Sequence, residues 1–142
     1  MQILYTAHGT SVGGRGGGTA KTSDGQLDIK LAHPKEMGGN GDGLNPEQLF
    51  AVGYSSCYLG AIKFVASKQT PPVKLAPESS VTAHIGIGPR DDGGGFGIEA
   101  VLDVNLPGVD KAVAQDIATQ AHVVCPYSHA TKGNIKLTTN IV

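Results

Sequence analysis

The chain has 142 residues, and its 11 Lys and Arg against 12 Asp and Glu give a formal net charge of −1. This length suits one domain with a sizeable core, so we predict a single domain over residues 1–142. Without a basic stripe the chain has no means of neutralising a row of phosphates, so neither nucleic acid nor an anionic membrane surface is an expected partner.

Glycine divides the chain into segments: there are 21 glycines, and most lie in three clusters, at 13–18, 38–43 and 86–97. Glycine clusters between alternating segments are typical of turns. We predict short strands over residues 2–7 and 19–23, on either side of the first cluster. Asp24-Gly25 predicts a two-residue hairpin turn, and a half-buried strand is expected after it because the apolar residues alternate there, at Leu27, Ile29 and Leu31.

A long helix is predicted from about Pro46 to Ser67. Asn45 is a favoured N-cap and Pro46 suits the first helical position, while Glu47 suits the positive end of the helix dipole. This helix is apolar nearly all the way round, so we expect it to be buried on almost every side. A membrane span is not expected, because the apolar run is interrupted by Ser55, Ser56 and Lys63.

The second half of the chain is predicted to contain strands at 81–87, 96–104 and 134–142. A helix is predicted over 109–124 from apolar residues at three- and four-residue spacing, namely Val109, Val113, Ile117, Ala121 and Val124. The order β-β-β-α-β-β-α-β indicates an α+β fold with antiparallel sheet. One sheet covers only one side of the long helix, so we infer a homodimer in which two such helices pack together.

The chain has two cysteines in different surroundings. Cys57 lies within the apolar helix, and Cys125 ends the second predicted helix, immediately before Pro126. A residue before proline is held out of the helical conformation, which leaves the Cys125 thiol free to move. Three roles are open to the pair: a structural disulfide, a share in a metal site, or a nucleophile with a resolving partner. No basic leader opens the chain, so we expect a cytosolic location where thiols stay reduced.

A buried thiol has a raised pKa, so Cys57 needs a nearby positive charge to act as a nucleophile. Arg15, in the first glycine cluster, is a candidate because backbone without side chains allows its guanidinium to approach another element closely. Glu47 can hold such an arginine through a bidentate pair. The simpler interpretations are a solvated Arg15 and a Glu47 that serves only the helix dipole. Glu47 and Cys57 are ten positions apart, roughly 15 Å along a straight helix, so a shared site favours a Glu47 from a second subunit.

A metal site competes for Cys125. His122 and Cys125 lie on one helical face with His129 just beyond, but structural zinc takes four ligands, and Cys57 would have to be the distant fourth. The remaining histidines are expected to be ordinary surface residues: His8, His33 and His84.

Two long motifs carry a resemblance that covers essentially the whole chain. They are Asn45-Pro-Glu-Gln-Leu-Phe-Ala-Val-Gly-Tyr-Ser-Ser-Cys57 and His122-Val-Val-Cys-Pro-Tyr-Ser-His-Ala-Thr-Lys-Gly-Asn134. Together with the Gly-Gly-Arg15 loop and the Ser-Asp-Gly-Gln-Leu-Asp hairpin, they resemble the organic hydroperoxide resistance proteins, a branch of the OsmC-like superfamily. The resemblance implies an intertwined homodimer with antiparallel sheets wrapped around central helices.

The resemblance also implies a thiol peroxidase that detoxifies organic hydroperoxides, including those of fatty acids. By position, Cys57 is the peroxidatic cysteine, Cys125 the resolving cysteine, Arg15 the activator and Glu47 its partner. No cofactor is implied, and the expected reductant is a dihydrolipoyl group, as dihydrolipoamide or on a lipoylated protein. Apolar neighbours of Cys57 are expected to form a pocket that favours bulky peroxides over hydrogen peroxide: Phe50, Tyr54, Tyr58 and Ile62.

Three alternatives stay open at this point. The first is a related OsmC-like peroxidase with another peroxide or reductant. The second is a metal-binding module that uses His122, Cys125 and His129. The third is a protein that binds apolar ligands in the same core and whose cysteines are silent.

Overall fold

The computed structural model describes all 142 residues. They form two compact units, Met1–Leu49 and Phe50–Val142. Each unit contains one three-stranded sheet. The mixed α+β class is therefore confirmed, whereas the assignment of residues 1–142 to one domain stays a prediction.

The first unit contains a meander of three short antiparallel strands: β1 (Gly9–Val12), β2 (Thr19–Thr22) and β3 (Asp28–Lys30). The Val12↔Thr19 pair closes the loop of residues 13–18, so the predicted turn is confirmed. The strand predicted at 2–7 is wrong: no strand lies there, and Ile3, Leu4 and Tyr5 are exposed. Backbone becomes a strand only where it finds a partner, and pairing with β2 begins at Gly9.

The hairpin between β2 and β3 is confirmed, although its turn is longer than two residues. The N–H of Thr22 donates to the carbonyl of Leu27 across it. Asp24 accepts from the Thr22 hydroxyl and from the N–H of Gln26, and Gly25 takes the left-handed conformation, with φ +74°. An aspartate that binds its own backbone followed by a left-handed glycine is the expected chemistry of such a turn.

Helix α1 (Pro46–Lys68) begins as predicted and ends one residue later. The side chain of Asn45 accepts from the N–H of Gln48 at 2.9 Å, and the side chain of Gln48 accepts from the N–H of Asn45 at 3.0 Å. This reciprocal arrangement satisfies two backbone donors at the start of the helix. It holds the first turn of α1 rigid, and Glu47 lies in that turn. A short 3-10 helix, Lys35–Met37, precedes it.

The second unit contains β4 (Ser80–Pro89), β5 (Phe96–Asn105) and β6 (Leu137–Ile141) in that spatial order. β4 and β5 form a ten-pair antiparallel hairpin. The predicted antiparallel pairing is confirmed for β4 and β5, but it is wrong for β6, which pairs with β5 in parallel. The chain leaves β5 at Asn105, and a helical crossover carries it back toward the start of that strand, where Leu137 pairs with Ala100, as a parallel connection requires.

That crossover contains α2 (Lys111–Val124) and a short helix that we did not predict, α3 (Pro126–Thr131). The buried stripe of α2 is Ala114, Ile117, Ala118 and Ala121, whereas the predicted stripe members Val113 and Val124 are 39% and 42% exposed. Small alanines form much of the buried stripe and lie close to the sheet and α1. The predicted members Ile117 and Ala121 are buried as expected, whereas Ala114 and Ala118 were not predicted because a small side chain gives a weak apolar signal.

The core of the second unit is formed by α1, β5 and α2. α1 contributes one stripe, which consists of Tyr54, Tyr58, Ala61, Ile62, Val65 and Ala66. The other side of the helix is open: Val52 is 68% and Phe64 51% exposed. Burial on almost every side is therefore wrong for the single chain. By length and composition α1 would also be long enough to cross a membrane, and only a third of its apolar stretch is buried.

Candidate active site

The two cysteines lie in contact. Cys57 is at the middle of α1, and Cys125 lies between α2 and α3, where its backbone is extended at φ −69° and ψ 119°. Their Sγ atoms are 3.3 Å apart, and both thiols are free. The prediction that Cys125 leaves the helical conformation before Pro126 is confirmed. The break turns the chain so that two residues 68 positions apart can meet.

The burial of Cys57 differs from the expectation, which placed it in a helix buried on almost every side. Cys125 has no exposed surface and is part of the core, whereas Cys57 is half-buried. Cys57 precedes Tyr58, a member of the buried stripe, and successive helical residues point about 100° apart. Cys57 therefore lies at the edge of the stripe. The more accessible thiol is the one predicted to meet a peroxide.

Burial raises the pKa of the Cys57 thiol. The backbone N–H of Tyr127, in the first turn of α3, acts in the opposite direction and stabilises the thiolate, while the neighbouring Cys125 raises the pKa further. The net effect favours the protonated thiol, which is the weaker nucleophile. A reactive Cys57 therefore needs an additional group that stabilises negative charge.

Arg15 and Glu47 form an ion pair within the first unit. Nη2 of Arg15 donates to Oε1 of Glu47 at 2.9 Å, and the two side chains are 37% and 13% exposed. The pairing is confirmed, but the bidentate geometry is wrong: Oε2 of Glu47 is buried without a partner. The cysteine pair and this ion pair lie in different units, so a site that includes both stays a prediction.

The predicted pocket residues divide into two groups. Tyr54, Tyr58 and Ile62 have no exposed surface and belong to the core, which is the wrong place for an open pocket wall in this conformation. Phe50 is half-buried and stacks on Tyr127, with ring centroids 5.9 Å apart and an interplanar angle of 22°. Tyr127 is 40% exposed. These two rings are the accessible aromatic surface beside the cysteines.

Tyr127 was missed in the sequence, although a signal for it exists at Gly53. A side chain at Gly53 would place its Cβ 3.1 Å from Oη and 3.2 Å from Cε2 of Tyr127. Cβ atoms in proteins rarely lie this close to an atom of another side chain. A glycine inside a helix lowers the stability of the helix by about 1 kcal/mol relative to alanine. Close packing against the glycine is one reason for its presence at such a position. Here the reason is a ring lying across the helix one turn before Cys57.

His122 does not take the metal-ligand role that we considered for it. Its Nδ1 lies 2.9 Å from Oγ of Ser128, and its Nε2 lies 3.0 Å from Oη of Tyr58 and 2.9 Å from Oγ1 of Thr139. Both ring nitrogens are therefore engaged by hydroxyl groups, and His129 is exposed. No three His, Cys, Asp or Glu side chains are grouped so that they could hold a metal ion.

Comparison with known proteins identifies the family of the chain. The model of the family described as OsmC-like protein matches residues 39–140. An organic hydroperoxide resistance protein of Xanthomonas axonopodis pv. citri is 51% identical over 138 residues, which cover 96% of this chain and 94% of that protein. The chain belongs to the organic hydroperoxide resistance branch of the OsmC-like family.

Solved structures of this branch have the same fold. The chain is 36% identical in sequence to OhrB of Bacillus subtilis. The crystal structure of that protein superposes with a TM-score of 0.88, and the match covers 99% of this chain and 100% of that one. An organic hydroperoxide resistance protein of Elizabethkingia anophelis is 45% identical, with full coverage of both chains and a TM-score of 0.88. The family predicted from the two cysteine motifs is confirmed.

The contact between Gly53 and Tyr127 makes a prediction about stability. Gly53→Ala should destabilise the protein by about 1–3 kcal/mol, because the new methyl group meets the ring. In a Tyr127→Ala background the same change should stabilise it by about 1 kcal/mol, since alanine is the better helix former. Urea unfolding of the four proteins measures both effects. A Gly53→Ala effect that is the same in both backgrounds would contradict the contact.

Proposed function

We propose that this chain is a thiol peroxidase that reduces organic hydroperoxides to alcohols. The observation that carries the proposal is the 3.3 Å contact between the free thiols of Cys57 and Cys125. Support comes from relatives that carry the name organic hydroperoxide resistance protein at about half identity over nearly the full chain. Cys57 is the peroxidatic residue because it is the more accessible of the two.

In the first step the Cys57 thiolate attacks one peroxide oxygen. A bond forms between sulfur and that oxygen, the O–O bond breaks, and the alkoxide leaves as an alcohol after it takes a proton. Cys57 becomes a sulfenic acid, and the hydroperoxide has been reduced by two electrons. Attack requires the thiolate, and the backbone N–H of Tyr127 supplies part of its stabilisation.

In the second step the Cys125 sulfur attacks the sulfur of the sulfenic acid. An S–S bond forms, the S–O bond breaks, and water leaves with the proton of the Cys125 thiol. The sulfur atoms must approach from 3.3 Å to about 2.05 Å, a movement small enough for side chains and the α2–α3 junction. The disulfide protects Cys57 from further oxidation by a second peroxide.

Arg15 is proposed to stabilise the Cys57 thiolate, with Glu47 holding the guanidinium in position. The ion pair at 2.9 Å supports this role for Glu47. Because burial raises the pKa of Cys57, a guanidinium is the kind of group that the site needs.

We further propose that the active protein is a homodimer. The exposed side of α1 presents Val52 and Phe64 to solvent in the single chain, and a second copy of this helix would bury them. Because Glu47 and Cys57 lie too far apart along one straight helix, a dimer also allows the ion pair of one subunit to serve the thiol of the other.

The substrate is proposed to be a hydroperoxide with a bulky apolar group. Phe50 and Tyr127 give the accessible surface beside the cysteines an aromatic character, which favours an alkyl chain over hydrogen peroxide. The oxidised enzyme is restored by a dithiol of the dihydrolipoyl type, on a lipoylated protein or as dihydrolipoamide. This dithiol reduces the disulfide and itself becomes a cyclic disulfide. The expected location is the cytoplasm.

The roles of the two cysteines are tested by single substitutions. Cys57→Ser should abolish the reduction of tert-butyl hydroperoxide without loss of fold. Cys125→Ser should still consume one equivalent and accumulate a sulfenic acid on Cys57, which a dimedone adduct detects by mass spectrometry. Hydrogen peroxide should be the poorer substrate of the wild-type enzyme. Retained turnover in Cys57→Ser would remove Cys57 from its role, and equal use of both peroxides would remove the apolar preference.

The role of Arg15 is tested through the thiolate itself. In a Cys125→Ser background, Arg15→Ala should raise the pKa of Cys57, so the rate of alkylation by iodoacetamide at pH 7 should fall. A shift of one pKa unit lowers the thiolate fraction about tenfold. Arg15→Lys keeps the charge but not the fork geometry and serves as the control. An alkylation rate unaffected by Arg15→Ala would leave Arg15 as a solvated loop residue.

The homodimer is tested by the mass of the protein in solution. Light scattering should give twice the chain mass of 14.5 kDa. Val52→Asp should shift the equilibrium toward the monomer, because the interface would bury an unpaired charge. Val142→Asp is the matched control, since Val142 is equally exposed but lies beyond β6. A monomeric wild-type protein would contradict the proposal.

A further inference from the structure

Cys125 lies at a junction between two helices that few backbone hydrogen bonds stabilise. α2 ends at Val124 and α3 begins at Pro126, and the extended backbone of Cys125 separates them. Proline has no N–H to contribute at this junction. Two backbone bonds remain there, from Cys125 to Ala121 and from His129 to Cys125. The angle between the two helices therefore needs side-chain contacts to hold it.

One side-chain hydrogen bond connects α2 to α3 across the junction at Cys125. His122 lies three residues before Cys125 and Ser128 three residues after it, and Nδ1 of His122 is 2.9 Å from Oγ of Ser128. The backbone N–H of the same serine donates to Sγ of Cys125 at 3.5 Å. Ser128 thus holds the thiol with its backbone and the histidine with its side chain.

His122 is in turn fixed to the elements around it. Its ring lies over Tyr58, with centroids 4.5 Å apart, and Tyr58 is the residue after Cys57. Nε2 of His122 contacts the hydroxyl groups of Tyr58 and Thr139, which places the ring against α1 and β6. The histidine therefore connects the helix that carries Cys57 with the serine that holds Cys125.

The direction of the hydrogen bonds follows from the chemistry of the partners. A carbonyl only accepts, so Tyr58 donates to the carbonyl of Ala118 at 2.6 Å. The Tyr58 oxygen is then left to accept from Nε2–H of His122, a donor that it shares with Oγ1 of Thr139. Nδ1 accepts from Ser128, whose oxygen accepts from the hydroxyl of Tyr54 at 3.0 Å. This chain is complete with a neutral imidazole, and burial lowers the pKa of His122 accordingly.

We propose that His122 is a positioning residue for disulfide formation: through Ser128 it holds the Cys125 thiol against Cys57. The inference rests on the proposed peroxidase function and deepens it. The bridge acts on the second step, in which Cys125 displaces water from the Cys57 sulfenic acid. It does not touch Cys57 or the peroxide in the first step.

A slower second step has a chemical consequence. The sulfenic acid persists, and a second hydroperoxide can transfer an oxygen to it, which leaves a sulfinic acid and a second alcohol. Disulfide formation and overoxidation compete for the same intermediate. The concentration of peroxide that inactivates half of the enzyme therefore reports on the rate of the second step.

The test uses three substitutions and a control in the full chain. His122→Phe keeps a ring over Tyr58 but has no nitrogen to accept from Ser128, and Ser128→Ala removes the hydroxyl group while keeping the N–H that reaches Cys125. His122→Asn places an amide oxygen near the position of Nδ1. His129→Phe replaces an exposed histidine of the same region and should behave as wild type. Circular dichroism and thermal unfolding establish that each variant is folded.

Rapid quenching and intact mass spectrometry follow the two steps separately after addition of tert-butyl hydroperoxide. His122→Phe and Ser128→Ala should slow disulfide formation about tenfold, as loss of one hydrogen bond would, and should be overoxidised at a correspondingly lower peroxide concentration. Sulfenic acid formation should stay within about twofold of wild type. His122→Asn should recover most of the second-step rate, and the double variant should be no slower than either single one.

Several results would overturn the inference. An unchanged disulfide rate in folded Ser128→Ala would do so, and this variant decides the question if His122→Phe does not fold. Equal slowing of both steps, or no recovery in His122→Asn, would show a merely structural role. A wild-type protein that forms no disulfide with the hydroperoxide would be different, because it would contradict the proposed function itself.

Discussion

The break in the helix at Cys125 is the constraint on which the rest of the site depends. Cys125 takes an extended backbone conformation in place of a helical one, α3 begins directly after it, and the two sulfur atoms lie 3.3 Å apart. The turn also brings the N–H groups of Tyr127 and Ser128 to the sulfurs of Cys57 and Cys125. One local conformational restriction thus positions both thiols and part of their electrostatic environment.

The same arrangement creates a conflict between packing and reactivity. A thiol at the edge of a packed helix stripe is held firmly, but its pKa rises because the thiolate loses solvation. Firm positioning favours disulfide formation, and a raised pKa opposes attack on the peroxide. The role proposed for Arg15 would resolve this conflict without loosening the core, because an arginine held by a carboxylate adds positive charge and no apolar packing.

Much of this could be predicted from the sequence, because the signals are local. The cap at Asn45, the alternation in β4 and β5, and the effect of Pro126 on Cys125 depend on neighbours in the chain, and all three are confirmed. The cysteine contact itself was not derivable from spacing, because the two residues are 68 positions apart. It was expected only through resemblance to a family.

The errors have a common physical cause in tertiary context. The parallel pairing of β6 depends on how the crossover returns to the sheet, and the exposed side of α1 depends on what the rest of one chain can cover. The spacing of His122 to Cys125 fits a metal ligand, yet three hydroxyl groups on α1, α3 and β6 engage its ring. The spacing along the sequence singled out His122, but it did not indicate which side chains contact the imidazole ring.

The most direct test of the account is a thiol count on fully reduced protein before and after one equivalent of an organic hydroperoxide. Two thiols per chain are expected before addition. The account predicts that both are lost within seconds, with the chain remaining monomeric on a denaturing, non-reducing gel. Two thiols that survive the addition, or a disulfide that joins two chains, would contradict it.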